Sequence, residues 1–329
     1  MTSASAALAA LGWAPHFASA LEALGDGSLV PARVAAADRG RLELLGAAGG
    51  LTAELSGRLR HAADPGGLPV VGDWVAVEPS PPTVRHVLER RTVLRRADPT
   101  GALQVLGANV DTVLVVSSLN RDLDARRLER FVAVAADGGA QPVVVLTKAD
   151  LLADPSAALS LVRPVTREVP LVIVSALRGE GLEELDPWLA PGSTAVLLGA
   201  SGVGKSTLVN ALLGEERQAT APIRSSDDQG RHTTVRRELI VLPSGALLLD
   251  TPGLRLPQLW IHGRGLAAAF ADLDALAEGC RFADCAHRSE PGCAVRAAID
   301  AGELDPERLA GLRMLEDEQR EAVGRSRRW

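Results

Sequence analysis

The chain has 329 residues, a formal net charge of −6 and an apolar fraction of 47%. That length allows about two domains, or three small ones, and the apolar content excludes wholesale disorder. No apolar run reaches the roughly 18 residues of a membrane span, and the Ala-rich start lacks the charged stretch and cleavage site of a secretory signal, so a cytoplasmic protein is expected.

In chain order, residues 1–28 read as a poorly packed N-terminal extension or a short helix. Residues 29–98 read as short β segments between Gly, Pro and Asp turns, with strands expected at 29–34, 42–45, 51–55, 74–77 and 84–88. Five short strands suit the five-stranded oligonucleotide-binding barrel, and spacing leaves a generic small β domain open. Residues 99–259 alternate apolar strands (113–116, 143–146, 171–174, 195–198, 239–242, 247–249) with helical patterns (124–134, 182–189, 205–213). This is the pattern of a doubly wound α/β sheet. Residues 260–329 turn helical around a short Cys/His-rich stretch and end in a polar helix and a basic tail. There are no internal repeats.

Lysine usage singles out two positions. Of the 35 basic residues only Lys148 and Lys205 are lysine. A compact ammonium on a flexible stem reaches between phosphates where a planar guanidinium does not fit. Lys205 belongs to Gly199-Ala200-Ser201-Gly202-Val203-Gly204-Lys205-Ser206, which matches the phosphate-loop pattern at every fixed position and sits between a strand-like run and a helical one. Its backbone N–H groups and helix N-terminus, with Thr207 following, would cradle the phosphates. Lys205 would neutralise charge in catalysis, and the Ser206 hydroxyl would ligate Mg²⁺.

Other stretches point to guanine. Thr147-Lys148-Ala149-Asp150 resembles the guanine motif, in which a carboxylate accepts from guanine N1–H and N2–H₂, a pattern adenine does not offer. Ser175-Ala176-Leu177 resembles the backbone-donor motif for guanine O6. Asp250-Thr251-Pro252-Gly253 matches D-x-x-G, with Asp250 on Mg²⁺ and the Gly253 N–H at the γ-phosphate. Gly230-Arg231-His232-Thr233-Thr234 lies in a long polar loop of the kind that orders around γ-phosphate and Mg²⁺. Thr234, or its neighbour Thr233, would supply a Mg²⁺ oxygen. All of these fall at strand ends, where such sheets bind ligands. The guanine motif precedes the phosphate loop, a circular permutation of the usual order that leads the D-x-x-G switch into the C-terminal region. Leu254 occupies the position of a water-orienting Gln, so intrinsic turnover should be slow, and His232 is the candidate to complete the site, either catalytically or as a phosphate or partner contact.

All three cysteines, Cys280, Cys285 and Cys293, lie within fourteen residues, with His287 among them. Three thiolates and an imidazole suit one closed, structural Zn²⁺ site, and an odd cysteine count argues against a disulfide framework. Arginine pairs at 90–91, 95–96, 126–127 and 236–237 and the tail at 325–328 offer local basic faces despite the acidic total, as RNA contact or as solvated charge.

Together these residues resemble the bacterial family of small-ribosomal-subunit-dependent GTPase A proteins. The permuted motifs, Ala108-Asn109-Val110-Asp111, Gly72-Asp73-Trp74-Val75 and the Cys280…Cys293 cluster carry the resemblance, which spans residues 29–320. It implies an N-terminal OB-type β-barrel, a circularly permuted P-loop GTPase domain and a C-terminal mostly helical zinc-binding domain. It also implies a late assembly factor that binds GTP/GDP and small-subunit rRNA, hydrolyses GTP faster on the subunit, and then departs; nothing in the sequence suggests obligate assembly, so a monomer is expected. Thr147 stands where many relatives have Asn, and the extension is not Lys-rich. The other readings are a GTP-gated RNA-binding checkpoint with incidental hydrolysis and a P-loop small-molecule kinase, against which Asp150 argues.

Overall fold

A computed structural model describes residues 3–38, 41–62, 66–97, 103–120, 123–166, 168–215, 237–250 and 263–326. Two short helices, α1 (Ser3–Ala10) and α2 (Pro15–Glu22), begin it. They pack better than their composition promises. Phe17 is fully buried with Leu29, Trp74 and Leu88, and the Trp13 ring meets Trp74 edge-on at 4.6 Å. The aromatic residues, rather than the alanines, dock this segment, because each buries far more apolar area.

Strands β1 (Val30–Asp38), β2 (Arg41–Gly46), β3 (Gly49–Leu55), β4 (Trp74–Pro79) and β5 (Pro82–Val87) follow, with helix α3 (Gly57–Ala62) between β3 and β4. The pairings β1–β2, β2–β3, β3–β5, β5–β4 and β4–β1 close a five-stranded barrel. Its interior holds Val34, Leu42, Leu44, Val75, Val77 and Val84. On β2 the buried residues Leu42 and Leu44 alternate with exposed ones, the period of two that a one-sided strand requires. A hairpin not anticipated from the sequence comes next: β6 (Val93–Ala97) pairs with β7 (Leu103–Ala108) across the expected boundary at 98/99. Leu94 and Leu106 of this hairpin join the core of the following α/β layer.

That layer is built from β8 (Thr112–Ser118), α4 (Ala125–Asp137), β9 (Gln141–Thr147), α5 (Ser156–Val162), β10 (Leu171–Ile173), β11 (Thr194–Leu198), α6 (Lys205–Leu213), β12 (Glu238–Val241) and β13 (Leu247–Asp250). The strand order is β10-β9-β8-β11-β13-β12, with all neighbours parallel except β12–β13. β8 and β11 are buried along their whole length, as strands covered on both faces must be. The helix expected at 182–189 is a 3-10 segment, Leu182–Trp188, and contains Pro187, whose ring would clash with the carbonyl four residues earlier in an α-helix.

The C-terminal helices are α7 (Gly263–Ala269), α8 (Ala271–Ala277), α9 (Ala294–Asp300) and α10 (Pro306–Ser326). Leu266, Phe270, Val295, Leu309 and Leu315 pack into the same core as Phe131 and Val132 of α4. A buried charge cluster adds to this contact. Arg308 on α10 reaches Glu129 on α4 at 2.6 Å and Asp272 on α8 at 2.8 Å, with its guanidinium 4.4 Å above the Phe270 ring.

The barrel is fastened to the α/β layer through Arg33, which is 1% exposed. Its guanidinium donates to the carbonyls of Leu11, Gly72 and Asn109 and, at 2.8 Å, to the Thr194 hydroxyl. Burial lowers its pKa to about 10, so it stays charged at neutral pH. Gly72 has φ +92 and approaches so closely that a Cβ there would lie 2.2 Å from the Ala108 carbonyl oxygen. The Gly72-Asp73 and Asn109-Asp111 motifs therefore meet at this seam.

Candidate nucleotide site and metal centre

Strand β11 delivers the phosphate loop, and α6 begins at its lysine. Gly199 is required by contact: a Cβ would lie 2.3 Å from the Val116 carbonyl oxygen of β8. Gly204 is required by conformation, with φ +98 at the N-cap of α6. The Lys205 ammonium donates to the carbonyls of Gly199 (2.8 Å) and Ala200 (2.6 Å), so it is held across its own loop. Its pKa is lowered because the loop buries it. A desolvated ammonium at a helix N-terminus is a strong anion-binding element.

The guanine motif at the end of β9 is bonded directly to that loop. The Thr147 hydroxyl, 1% exposed, lies 2.5 Å from the Val203 carbonyl and 3.1 Å from that of Ser117. The Lys148 ammonium donates to the Gly202 carbonyl at 2.7 Å, from a backbone at φ 61. Thr147 thus spans to the phosphate loop with its single hydroxyl. Asp150 accepts at 2.6 Å from the hydroxyl of the fully buried Ser175, which orients the carboxylate from the neighbouring motif. Ala149 N–H bonds the Val174 carbonyl, stitching the two motifs together along the backbone. The residues expected to read guanine and those expected to hold phosphate are therefore one connected set. Ser206 and Thr207 open α6, Ala176 follows Ser175, and Asp250 ends β13 next to β11. His232, Thr233, Thr234 and Gly253, with Leu254, lie outside the described residues.

A cleft of about 680 Å³ flanks the outer arm of the phosphate loop, lined by Ala200–Val203, by Arg126 and Arg127 of α4 and by Glu307 and Arg308 of α10. No residue of the guanine motif lines it, and it joins the phosphate loop to the C-terminal helices. The Arg308 cluster and Arg33 carried no motif. Their signal, buried charge paired across the chain, exists only after folding.

Cys280, Cys285, His287 and Cys293 converge so that one ligand atom of each lies within 4.8 Å of every other. The Cys280 and Cys293 sulfurs are 3.9 Å apart, and the His287 Nδ1 lies 3.6 and 3.4 Å from them. A tetrahedral metal with bonds of about 2.3 Å to sulfur and 2.0–2.1 Å to nitrogen calls for separations of about 3.8 and 3.5 Å. The four residues therefore form a group that can hold a metal ion. The Glu290 carboxylate accepts from the backbone N–H groups of Ala286, Arg288 and Ser289, fixing the loop that carries His287.

The model for RsgA GTPase matches residues 87–260. The chain belongs to the RsgA GTPase family. It is 48% identical to a small ribosomal subunit biogenesis GTPase RsgA of Opitutus terrae, over 97% of this chain and 91% of that one. A Streptomyces coelicolor protein of the same description is 47% identical over 97% and 88%. Among solved structures it is similar to YjeQ from Thermotoga maritima, with a TM-score of 0.68, 25% identity and coverage of 88% and 98%. The fold of YloQ, described as a circularly permuted GTPase, also matches, with a TM-score of 0.65 at 23% identity, covering 90% and 96%. The family makes this chain a GTPase. The permuted order is visible in the fold, where the guanine-motif strand β9 precedes the phosphate-loop strand β11. No helix among the described residues is long and apolar enough to cross a membrane.

Proposed function

We propose that this GTPase is a timing switch on the maturing small ribosomal subunit in the cytoplasm: it binds small-subunit rRNA with GTP bound, hydrolyses GTP and is then released. The relatives' description as small ribosomal subunit biogenesis GTPases supports this at 48% identity over nearly the whole chain. The observation that carries it is the bonded unit of Thr147, Lys148 and the phosphate loop in a chain that also has a closed barrel and a metal-ligand cluster.

In this reading Asp150 accepts from guanine N1–H and N2–H₂, Ser175 orients it, and the Ala176 N–H meets O6. Residues 199–207 hold the phosphates, with Lys205 on the β/γ bridge, where its charge offsets that developing in the transition state. Mg²⁺, held by Ser206, Thr234 and Asp250, would supply further neutralisation of the phosphate oxygens. Thr233 and Gly253 would meet the γ-phosphate. His232 would orient the attacking water, a task the apolar Leu254 cannot perform. The Cys280, Cys285, His287 and Cys293 group takes Zn²⁺ as a structural ion, because all four tetrahedral positions come from the protein.

GTP turnover with and without purified small subunits tests the proposal, repeated with His232→Ala. Subunits should stimulate the wild type, and the variant should retain GTP affinity while losing most of that stimulation. An unstimulated wild type refutes the timing-switch reading, and full activity of the variant removes His232 from catalysis.

A further inference from the structure

Strand β1 has two partners along one edge. Val30–Arg33 pair with β4 and close the barrel, whereas Ala36 pairs with Glu238 of β12. A register shift between Val34 and Ala36 separates the two stretches, and such bulges bend a strand. On its other side Glu238 pairs with Asp250 of β13. Ala36, Glu238 and Asp250 therefore form one rung across three adjacent strands, which puts the Ala36 backbone about 10 Å from the Asp250 backbone at two strand spacings. The barrel and the α/β layer are in consequence one continuous 11-stranded sheet. β12 also follows directly, in sequence, the stretch carrying Gly230–Thr234.

The geometry points to β1 as a positioning element for hydrolysis: a polynucleotide held on the barrel acts through the Ala36–Glu238 pairing to set the Asp250 carboxylate for the chemical step. Arg33 gives this path a fixed end, because its bonds to Thr194 and Asn109 hold the start of β1 against the bases of β11 and β8. With the start of β1 anchored, a change in the barrel is transmitted at its far end, at Ala36. Backbone pairing transmits displacement well because adjacent strands cannot slip by less than a residue without breaking hydrogen bonds. Ala36 and Glu238 then influence the catalytic rate without touching nucleotide. The inference rests on the proposed subunit-dependent reading for the identity of the ligand on the barrel, not for the rung itself.

Two arms test it on the full chain. Ala36→Pro removes the N–H and disfavours pairing at this position, and Ala36→Ser keeps both the backbone and the small size. Ala36→Pro should leave the KM for GTP within about twofold and lower kcat with saturating small subunits about tenfold, and Ala36→Ser should restore it. A folded Ala36→Pro protein with full stimulation overturns the inference. Should that variant not fold, the wild type decides: amide exchange at 34–38, compared between Mg²⁺–GDP and a non-hydrolysable Mg²⁺–GTP analogue, should change together with 238–241 while 74–79 stays constant. Unchanged exchange at 34–38 overturns it. Wild-type protein that no subunit stimulates would refute the functional reading alone, with the exchange result still deciding the rung.

Discussion

Replacing Arg308 by alanine should detach the C-terminal helices from α4. Arg308 is 5% exposed and makes bonds of 2.6 Å to Glu129, 3.0 and 2.8 Å to Asp272 and 2.5 Å to the Ala269 carbonyl. Truncation leaves Glu129, itself 5% exposed, as an uncompensated buried carboxylate. Breaking one partner of a buried pair costs about 3–5 kcal/mol. Asp272 contributes less, because its side chain is 18% exposed and water can replace part of the loss. The pH dependence follows from Glu129, whose carboxyl burial already holds above the usual range while Arg308 pulls it back. A carboxyl raised on folding costs stability when ionised, and the cost fades as pH falls through its folded pKa toward the unfolded value of about 4.3. Without Arg308 the folded pKa rises further, so the deficit of the variant should be largest near neutrality and shrink toward pH 5. Because several modules are present, a single melting temperature is ill-defined and amide exchange of α4 and α10 is the suitable assay. Exchange in α10 should be on the order of a hundred- to thousandfold faster at pH 7, one decade for each 1.4 kcal/mol. Acceleration under tenfold, or a deficit that grows with acid, would refute the reasoning.

Two further outcomes follow from the site. Asp150→Asn replaces an acceptor of two guanine donors by a group that offers one, and should weaken GTP by about 2–4 kcal/mol, or 30- to 1,000-fold in Kd, while ATP binding stays weak; unchanged GTP-over-ATP preference would remove Asp150 from guanine recognition. Removing metal with a chelator, or Cys293→Ser, should increase exchange in α9 and the 280–293 loop, since a structural Zn²⁺ site contributes on the order of 10 kcal/mol locally, and the barrel strands should not respond. Equal loosening of β4 and β5 would show that the metal acts globally.

Much of the site was legible before folding because its chemistry depends on fixed local spacing. The phosphate loop needs glycines at 199 and 204 for a close approach to Val116 and a left-handed turn, and both requirements mark the sequence directly. The Cys280–Cys293 cluster is likewise local, with its four ligands inside fourteen residues. Barrel strands announced themselves through alternation, as on β2. The N-terminal helices did not, because an alanine-rich run gives a weak apolar face, and the residues that dock it, Trp13 and Phe17 with Leu8, Leu11 and Leu21, are scattered along it.

From the sequence alone come the nucleotide class, the order of its motifs and the four residues that can hold a metal ion, since each is set by short-range geometry that a few residue types can satisfy. Tertiary structure alone decides how the modules are joined. Arg33 selects Thr194 from 161 positions away, Arg308 selects Glu129 from 179, and Ala36 pairs with Glu238 through backbone groups common to every residue. Contacts of this kind leave no local signature, because their energy comes from burial and pairing that exist only once distant segments have met.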